Sequence, residues 1–273
     1  MSPTFVAVLA GLGAIGGFFA GLLGFGGGVV MFPLLYYVPP LFGLKPLEAK
    51  TVAAMVVSQV FFSALIGGLA HLRRGRVHTR IVLLAGLSSS IGAFAGAVAS
   101  KWTSEEFLLL LFGIVTLLVG AIMFLPAPPH ESQAPHPIAP ATAPLASCSF
   151  VAGTVVGFLG AGNFAFVPLL IYVLKVPTRI AIGSSLFIAL MNSAGGFIGK
   201  LATGQIPLLL SSVVVAGAAA GALLGEKIHR LLPPRTLRGI YALLVALIAA
   251  RVWLTIWHHC RDAIALSLIS MPM

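Results

Sequence analysis

The chain has 273 residues, of which 59% are hydrophobic and only 8% are charged. Because a soluble domain carries about 25% charged residues, this composition excludes a soluble globular protein and indicates an integral membrane protein. The formal net charge of +10 does not indicate a nucleic-acid partner, since Lys and Arg lie in short loops between apolar runs, where they set topology. The two cysteines, Cys148 and Cys260, are far apart and predict neither a disulfide nor a metal site.

The first predicted helix covers residues 5–23 and is not preceded by basic residues, so we expect it to be retained rather than cleaved. Gly13, Gly17 and Gly21 recur four residues apart in it, which predicts a smooth face for close helix packing. The run Gly24-Phe25-Gly26-Gly27-Gly28 follows. Glycine costs a helix about 1 kcal/mol per residue relative to alanine, so this run predicts a break in the helix. In hydrocarbon such a break survives only inside protein or beside a polar cavity.

A short apolar segment, residues 29–42, follows the break and contains Pro33. About 20 residues are needed to cross a bilayer, so we expect this segment to form a hairpin with the first helix. Three longer helices are predicted at residues 51–71, 81–99 and 107–125. Residues 126–144 hold seven prolines and no Lys or Arg, which is typical of an extended or disordered linker.

The second half of the chain repeats this plan. A break at Gly160-Ala161-Gly162-Asn163 is followed by a short segment (164–174), helices at 180–202 and 208–225, a basic loop (226–238) and a last helix (239–257). Pro33 corresponds to Pro168, Thr51 to Ser184, and Gln59 to Asn192. We therefore predict an N-terminal transmembrane repeat (residues 1–125), a linker (126–144), a C-terminal transmembrane repeat (145–257) and a tail (258–273).

The distribution of charge predicts the orientation of the two repeats. Placing the most basic loop, residues 71–80, in the cytoplasm also places residues 175–179 and 227–238 there, with residues 101–106 and 200–206 outside. The loop after the third segment then lies on opposite sides in the two halves. The predicted fold is an all-α integral membrane protein with two inverted repeats of about five helical segments each, with short broken or re-entrant helices at the Gly-rich motifs.

Two broken segments at corresponding positions of two halves indicate a transporter's binding site. Helices that begin just after Gly28 and Asn163 would direct N–H groups and positive dipole ends to the midplane, where they favour an anion. Gln59 and Asn192 lie eight residues, or about 12 Å, into the following helices. The candidate substrate-binding residues are Gly24, Gly26, Gly27, Gly28, Thr51, Gln59, Gly160, Gly162, Asn163, Ser184 and Asn192. The alternative roles are an interhelical hydrogen bond for the two amides and close packing for the glycines.

The six carboxylates all lie in loops or at predicted helix ends, so none predicts an intramembrane proton relay. We find no nucleotide-binding motif, catalytic constellation, metal site or cofactor site, and therefore expect a protein that is not an enzyme. The expected partners are a small anionic substrate and the lipid bilayer, with no nucleic acid. The membrane potential, worth about 2.3 kcal/mol per charge per 100 mV, could drive export of an anion.

Three features of the sequence carry a resemblance to a known family. The first is the run Gly24-Phe25-Gly26-Gly27-Gly28 with Phe32-Pro33-Leu34-Leu35, the second is its weaker repeat before Pro168, and the third is the pair of helix starts at Ala49-Lys50-Thr51 and Gly183-Ser184-Ser185. In these features the chain resembles the sulfite exporter TauE/SafE family of membrane transporters. The second copy departs from the family pattern, with Asn163-Phe164 where glycines are expected. The resemblance implies export or uptake of small sulfur oxyanions or sulfonates. We predict a secondary transporter of sulfite or organosulfonates that works by alternating access around a midplane site between the two Gly-rich breaks, as an exporter in a bacterial inner membrane. An anion channel, or a carrier of other small anions such as carboxylates, is the alternative.

Overall fold

The computed structural model describes residues 3–23, 27–71, 79–124, 142–161, 163–174, 176, 178–229, 231–232 and 234–269. Every regular element in these ranges is helical. The α-helices are α1 (Pro3–Leu23), α2 (Gly28–Leu41), α3 (Ala49–His71), α4 (Thr79–Ala99), α5 (Glu105–Phe124), α6 (Thr142–Leu159), α7 (Phe166–Pro168), α8 (Thr178–Ala202), α9 (Leu208–His229) and α10 (Pro234–Ile269). Five helices are long and apolar enough to cross a membrane, and five apolar stretches are shorter. The prediction of an all-α, multi-pass integral membrane protein is confirmed.

One predicted element of the second half, the basic loop, is wrong. Residues 226–238 were expected to form a basic loop, but α9 continues to His229 and α10 already begins at Pro234. Lys227 and His229 occupy the last turn of α9, where cations interact favourably with the helix dipole, and proline is well tolerated in a first helical turn. In addition, α6 begins at Thr142, inside the predicted linker, and α10 continues to Ile269, through most of the predicted tail. The rest of the linker, residues 126–141, lies outside the described residues.

Helix α1 packs against α9, a helix from the other half of the chain. A Cβ placed on Gly13, Gly17 or Gly21 would collide with the backbone of Val214, Ala218 or Ala222, respectively, and Gly217, Gly221 and Gly225 approach α1 in the same way. The contacting residue numbers rise together, so the two helices are parallel. Small residues permit this close backbone approach, and the packing role predicted for the α1 glycines is confirmed.

Helix α4 has an equivalent set of neighbours, also taken from the other half. Gly92 and Gly96 of α4 approach the backbones of Phe150 and Thr154 of α6, while Gly195 of α8 approaches Ser90 of α4. These contacts make α4, α6 and α8 one closely packed group. Helices α1, α9 and α3 form the matching group, since α3 packs against both α1 and α9.

Two further helix pairs run antiparallel. Gly113 of α5 faces Val252 of α10, whereas Gly120 faces Val245. Helix α3 runs antiparallel to α8, because the first turn of α3 and the last turn of α8 both contact the short 3₁₀ turn Ser100–Trp102 that follows α4. Both pairs join helices that occupy corresponding positions in the two halves of the sequence.

Helix α3 lies at the centre of the molecule. Residues 52–60 are all buried, on every face of the helix, as expected for a helix that is apolar all round. It contacts α2, α8 and α9 as well as α1. Any site formed at the level of residues 52–60 is therefore enclosed by protein.

The close packing of α1 on α9 makes a prediction about stability. Gly17→Leu should lower the free energy of unfolding by about 3 kcal/mol or more, because the side chain has to displace the backbone of Ala218. The matched control is Gly11→Leu in the same helix, because a Cβ on Gly11 has no atom within 4 Å. Thermal unfolding in detergent, followed by tryptophan fluorescence, should show a midpoint lower by about 5 °C or more for Gly17→Leu alone. Equal midpoints for the two variants would contradict the packing described here.

Candidate functional site

The first helix break lies between Leu23 and Gly28. Gly27 is in the left-handed region, with φ 63° and ψ 1°, and its carbonyl accepts hydrogen bonds from Val30 N–H (3.1 Å) and Met31 N–H (3.0 Å). A Cβ on Gly27 would lie 2.7 Å from both the Gly16 oxygen and the Ala20 Cβ. Backbone conformation and space therefore both require glycine here. Gly24 and Gly26 lie outside the described residues.

The second break begins at Gly160, which is also left-handed with φ 67°. A Cβ on Gly160 would collide with the carbonyl oxygen of Ala53 in α3, so this glycine allows α6 to end directly against the central helix. Gly162, the other glycine of this motif, lies outside the described residues.

The short segment after the second break is irregular. It consists of a 3₁₀ turn (Asn163–Ala165), the single α-helical turn α7, and a π-helical turn (Leu169–Val173). Pro168 does not by itself account for this irregularity, because the corresponding Pro33 lies inside the regular helix α2. The first break thus ends in a regular helix N-terminus at Gly28, whereas the second ends in an irregular turn that presents the side chain of Asn163.

The two breaks meet at α3. A Cβ on Gly28 would lie 3.0 Å from the Ala161 Cα and 3.2 Å from the Val60 Cγ2, so the start of α2 almost touches the second break. One turn earlier in α3, the Val57 Cγ2 would lie 3.0 Å from a Cβ on Gly196 in α8. Both breaks and the middle of α8 are therefore arranged around one stretch of α3, residues 53–60.

Three amide side chains at this level are buried: Gln59 and Asn192 are 0% exposed and Asn163 is 4% exposed. Gln59 Nε2 donates to Ser63 Oγ at 3.0 Å. Within the described residues, the Gln59 Oε1 and all four amide atoms of Asn163 and Asn192 have no hydrogen-bond partner. Leaving a buried polar group unpaired costs about 1–3 kcal/mol, so these amides are maintained at the expense of stability. Such a set is typical of a site that a ligand completes.

The neighbouring serines behave differently. Ser58 Oγ donates to the Ala54 carbonyl at 2.8 Å, and Ser193 Oγ donates to the Ala189 carbonyl at 2.6 Å. Each hydroxyl is satisfied within its own helix, as is common for serine in apolar helices. Beside Gln59 and Asn192, the buried polar atoms without a partner therefore belong to the amides, whereas the hydroxyls of Ser58 and Ser193 are hydrogen-bonded.

Four of the candidate residues lie on or against α3 and α8: Gln59 and Asn192 belong to these helices, and Gly28 and Gly160 contact α3. Gly27 packs against α1, and Asn163 begins the 3₁₀ turn of the second break. Thr51, which is half-buried, and Ser184, which is fully buried, each lie eight residues before an amide, or about 12 Å along the helix. They are therefore nearer the ends of α3 and α8 than the centre.

Sequence reasoning missed one buried cation. Lys200 was predicted within the helix 180–202, at its outer end, and the structure places it in the last turn of α8. Its burial, with 0% of its surface exposed, was not predicted. Two buried hydroxyls without a partner in the described residues, Ser149 and Ser211, were also missed, and no sequence pattern distinguishes them from other serines.

Comparison with known proteins agrees with a membrane transporter. Residues 9–252 match the model of the family described as Sulfite exporter TauE/SafE. A "Probable membrane transporter protein" of Xylella fastidiosa (strain Temecula1) is 30% identical over 269 residues, which cover 94% of this chain and 97% of that protein. A protein of the same description from Xylella fastidiosa (strain 9a5c) is 35% identical over 182 residues, 66% of this chain and 67% of that protein.

A more distant relative has the same description. The "Probable membrane transporter protein YunE" of Bacillus subtilis is 25% identical over 262 residues, which cover 90% of this chain and 96% of that protein. No solved structure matches the chain. The family match spans nearly all of the described helices and both breaks, so the chain belongs to the TauE/SafE sulfite exporter family of membrane transporters.

Proposed function

We propose that this protein is a secondary transporter that exports small sulfur-containing oxyanions, such as sulfite or organosulfonates, across a bacterial inner membrane. The family description supports the substrate class. The observation that carries the proposal is the set of buried, unpaired amides at the point where the two helix breaks meet α3.

The chemistry of this set suits an oxyanion. The Nδ2 groups of Asn163 and Asn192, together with the second N–H of Gln59 Nε2, provide donors without a buried ammonium, whose desolvation would be costly. The N–H groups of Gly28 and Val29 belong to the first turn of α2, which has no intrahelical acceptors for them. The positive end of the α2 dipole also favours negative charge there.

The two halves, in this proposal, are inverted repeats in which α1 to α5 correspond to α6 to α10. Three features support it. The pairing of α1 with α9 has its counterpart in the pairing of α6 with α4, and the corresponding pairs α3/α8 and α5/α10 are antiparallel. An inversion requires corresponding helices to run in opposite directions.

The packing suggests which parts move. The close glycine contacts join helices from different repeats, α1 with α9 and α4 with α6 and α8, and α3 also packs on α1 and α9. We assign the moving bodies to the groups α1/α3/α9 and α4/α6/α8, rather than to the two repeats. Gln59 belongs to the first body and Asn192 to the second, so relative motion of the bodies would open and close the site between them.

The centre of the molecule is closed in this structure, which favours a carrier over an open channel. Phe61 of α3 stacks on Phe197 of α8, with ring centroids 5.2 Å apart and an interplanar angle of 15°. The contact of Gly28 with Ala161 closes the space between the two breaks. Both contacts would have to separate for an anion to enter.

The first experiment measures flux of labelled sulfite into proteoliposomes with the membrane potential clamped at several values. We expect saturable flux that depends on the potential, because an anion carries charge across the membrane. An organosulfonate such as isethionate should compete, and acetate should not. Competition by acetate alone, or no flux of any sulfur anion by folded protein, would contradict the proposed substrate class.

The second experiment separates a binding role of the amides from a structural one. Gln59→Leu and Asn192→Leu should each weaken sulfite affinity about tenfold, because a hydrogen bond to a charged group contributes about 1.5–3 kcal/mol. The same variants should unfold at the same temperature as the wild type or higher, since each removes buried amide atoms that lack partners.

Ser58→Ala is the matched control, because Ser58 is the equally buried neighbour of Gln59 and its hydroxyl is satisfied within α3. It should leave the sulfite affinity unchanged. Variants of Gln59 and Asn192 that lose thermal stability but keep their affinity would assign both amides to structure.

A further inference from the structure

Lys200 is a buried cation outside the central site. It lies in the last turn of α8, is 0% exposed, and donates from Nζ to Ser100 Oγ at 2.8 Å and to Gln205 Oε1 at 3.3 Å. Both acceptors are neutral. An ammonium group has three N–H donors. Among the described residues, two of these donors have acceptors and the third has none.

A second lysine reaches the same turn from the other body. Lys50, in the first turn of α3, donates from Nζ to the Lys101 carbonyl at 3.1 Å, and Lys101 directly follows Ser100. Lys200 belongs to the group α4/α6/α8, and Lys50 to the group α1/α3/α9. Two ammonium groups therefore converge, one from each moving body, on the 3₁₀ turn Ser100–Trp102.

Three acidic residues, Glu48, Glu105 and Glu106, lie in or beside the turns at this end of the molecule, and Glu105 has a partner other than Lys200. Glu105 Oε1 accepts a hydrogen bond from the backbone N–H of Ala49 at 3.1 Å, so it caps the start of α3. A buried ammonium without an opposite charge is unfavourable, and an ionisable residue at membrane depth is a functional-site hypothesis with its partner to be named. An exogenous anion fits the charge and the free donor of Lys200, while the Ser100 hydroxyl donates to the Ala97 carbonyl at 2.7 Å.

Gln205 lies between Lys200 and the exposed turn that joins α8 to α9. Gln205 is only half-buried and lies in the turn between α8 and α9, next to the exposed Gly204. Its Nε2 donates to the Ala97 carbonyl (2.8 Å) and to Thr203 Oγ1 (2.7 Å), which holds the amide over the ammonium. Rotation of this one side chain would exchange its Oε1 for an anion oxygen on Lys200.

We propose that Lys200 and Lys50 form a second binding site for a small oxyanion, where the two bodies meet at the end of the molecule that the charge pattern places outside. This inference rests on the proposed function, since the ligand is of the same class as the central substrate. The outer site holds the anion after it leaves the central amides and before it reaches bulk solvent.

The test is equilibrium binding of labelled sulfite to the purified full-length protein in detergent, under nitrogen, with gluconate as the background anion. The wild type should bind sulfite at two sites. Lys200→Gln, which keeps donors but removes the charge, should weaken one site about tenfold or more, and Lys200→Arg should retain it. Lys101→Gln is the control, because this lysine is exposed and contributes only its backbone carbonyl.

Lys50→Gln provides the test if Lys200→Gln does not fold, since Lys50 is only half-buried. It should weaken the same site severalfold with no change in thermal unfolding. Binding by Lys200→Gln and Lys50→Gln equal to that of the wild type would overturn the outer site, as would a complete absence of sulfite binding by the wild type.

A double variant, Gln59→Leu with Asn192→Leu, separates this inference from the proposed function. Loss of one site in the double variant and of the other in Lys200→Gln would support both. A single site, lost in Lys200→Gln and kept in the double variant, would retain the outer site and contradict the central one.

Phospholipid phosphates share this chemistry, so the measurement is repeated in nanodiscs that contain phosphatidylglycerol. Unchanged sulfite binding there supports a soluble anion. Loss of the Lys200-dependent site in these nanodiscs alone would overturn that assignment in favour of a lipid headgroup.

Discussion

A polypeptide inside a bilayer has to satisfy its backbone hydrogen bonds within the protein, and both helix breaks of this chain depend on that constraint. Gly27 and Gly160 adopt left-handed conformations that interrupt α-helices. They are tolerated because α1 covers the first break and α3 covers the second, at distances that leave no room for a Cβ. The fully buried stretch of α3, residues 52–60, therefore packs against both breaks and stabilises them.

Most of the close backbone contacts made by glycines lie within the two groups of helices, α1/α3/α9 and α4/α6/α8. Glycine contacts join α1 to α9 and join α4 to both α6 and α8 with the backbones in direct contact. The facing helices α3 and α8 meet through side chains such as Phe61 and Phe197, and the end of α6 at Gly160 lies against the α3 backbone at Ala53. Two of the unpaired amides, Gln59 and Asn192, belong to α3 and α8, so in the proposed mechanism the unfavourable polar burial lies at the boundary of the two groups, where a bound ligand would compensate it.

Much of this could be predicted from the sequence, because its signals are local. Apolar runs bounded by charge gave the positions of the helices, and the glycine runs gave both breaks. Gln59 and Asn192 were identifiable as amides in the middle of apolar helices, and the recurring glycines of α1 predicted close packing.

Other features depend on three-dimensional contacts that no local pattern encodes. The spacing of Gly13, Gly17 and Gly21 predicts a close neighbour but does not specify α9, so the pairing of helices across the two halves was missed. The π-helical turn after Pro168 and the burial of Lys200 were missed for the same reason, since Lys200 is stabilised by Ser100, a residue 100 positions away. The helical ends between residues 226 and 238 were missed because their basic, polar composition is typical of a loop. The helix dipole and a first-turn proline favour helix there and outweigh that composition.

In the proposed mechanism one anion site, between the groups α1/α3/α9 and α4/α6/α8, is exposed alternately to the two sides of the membrane. Counterflow distinguishes this mechanism from a channel. Proteoliposomes are loaded with unlabelled sulfite and diluted into a trace of labelled sulfite at zero membrane potential. We expect transient accumulation of label above its equilibrium level, because each outward crossing returns the site to the inside with a labelled anion. Simple approach to equilibrium without an overshoot would contradict alternating access and indicate a channel.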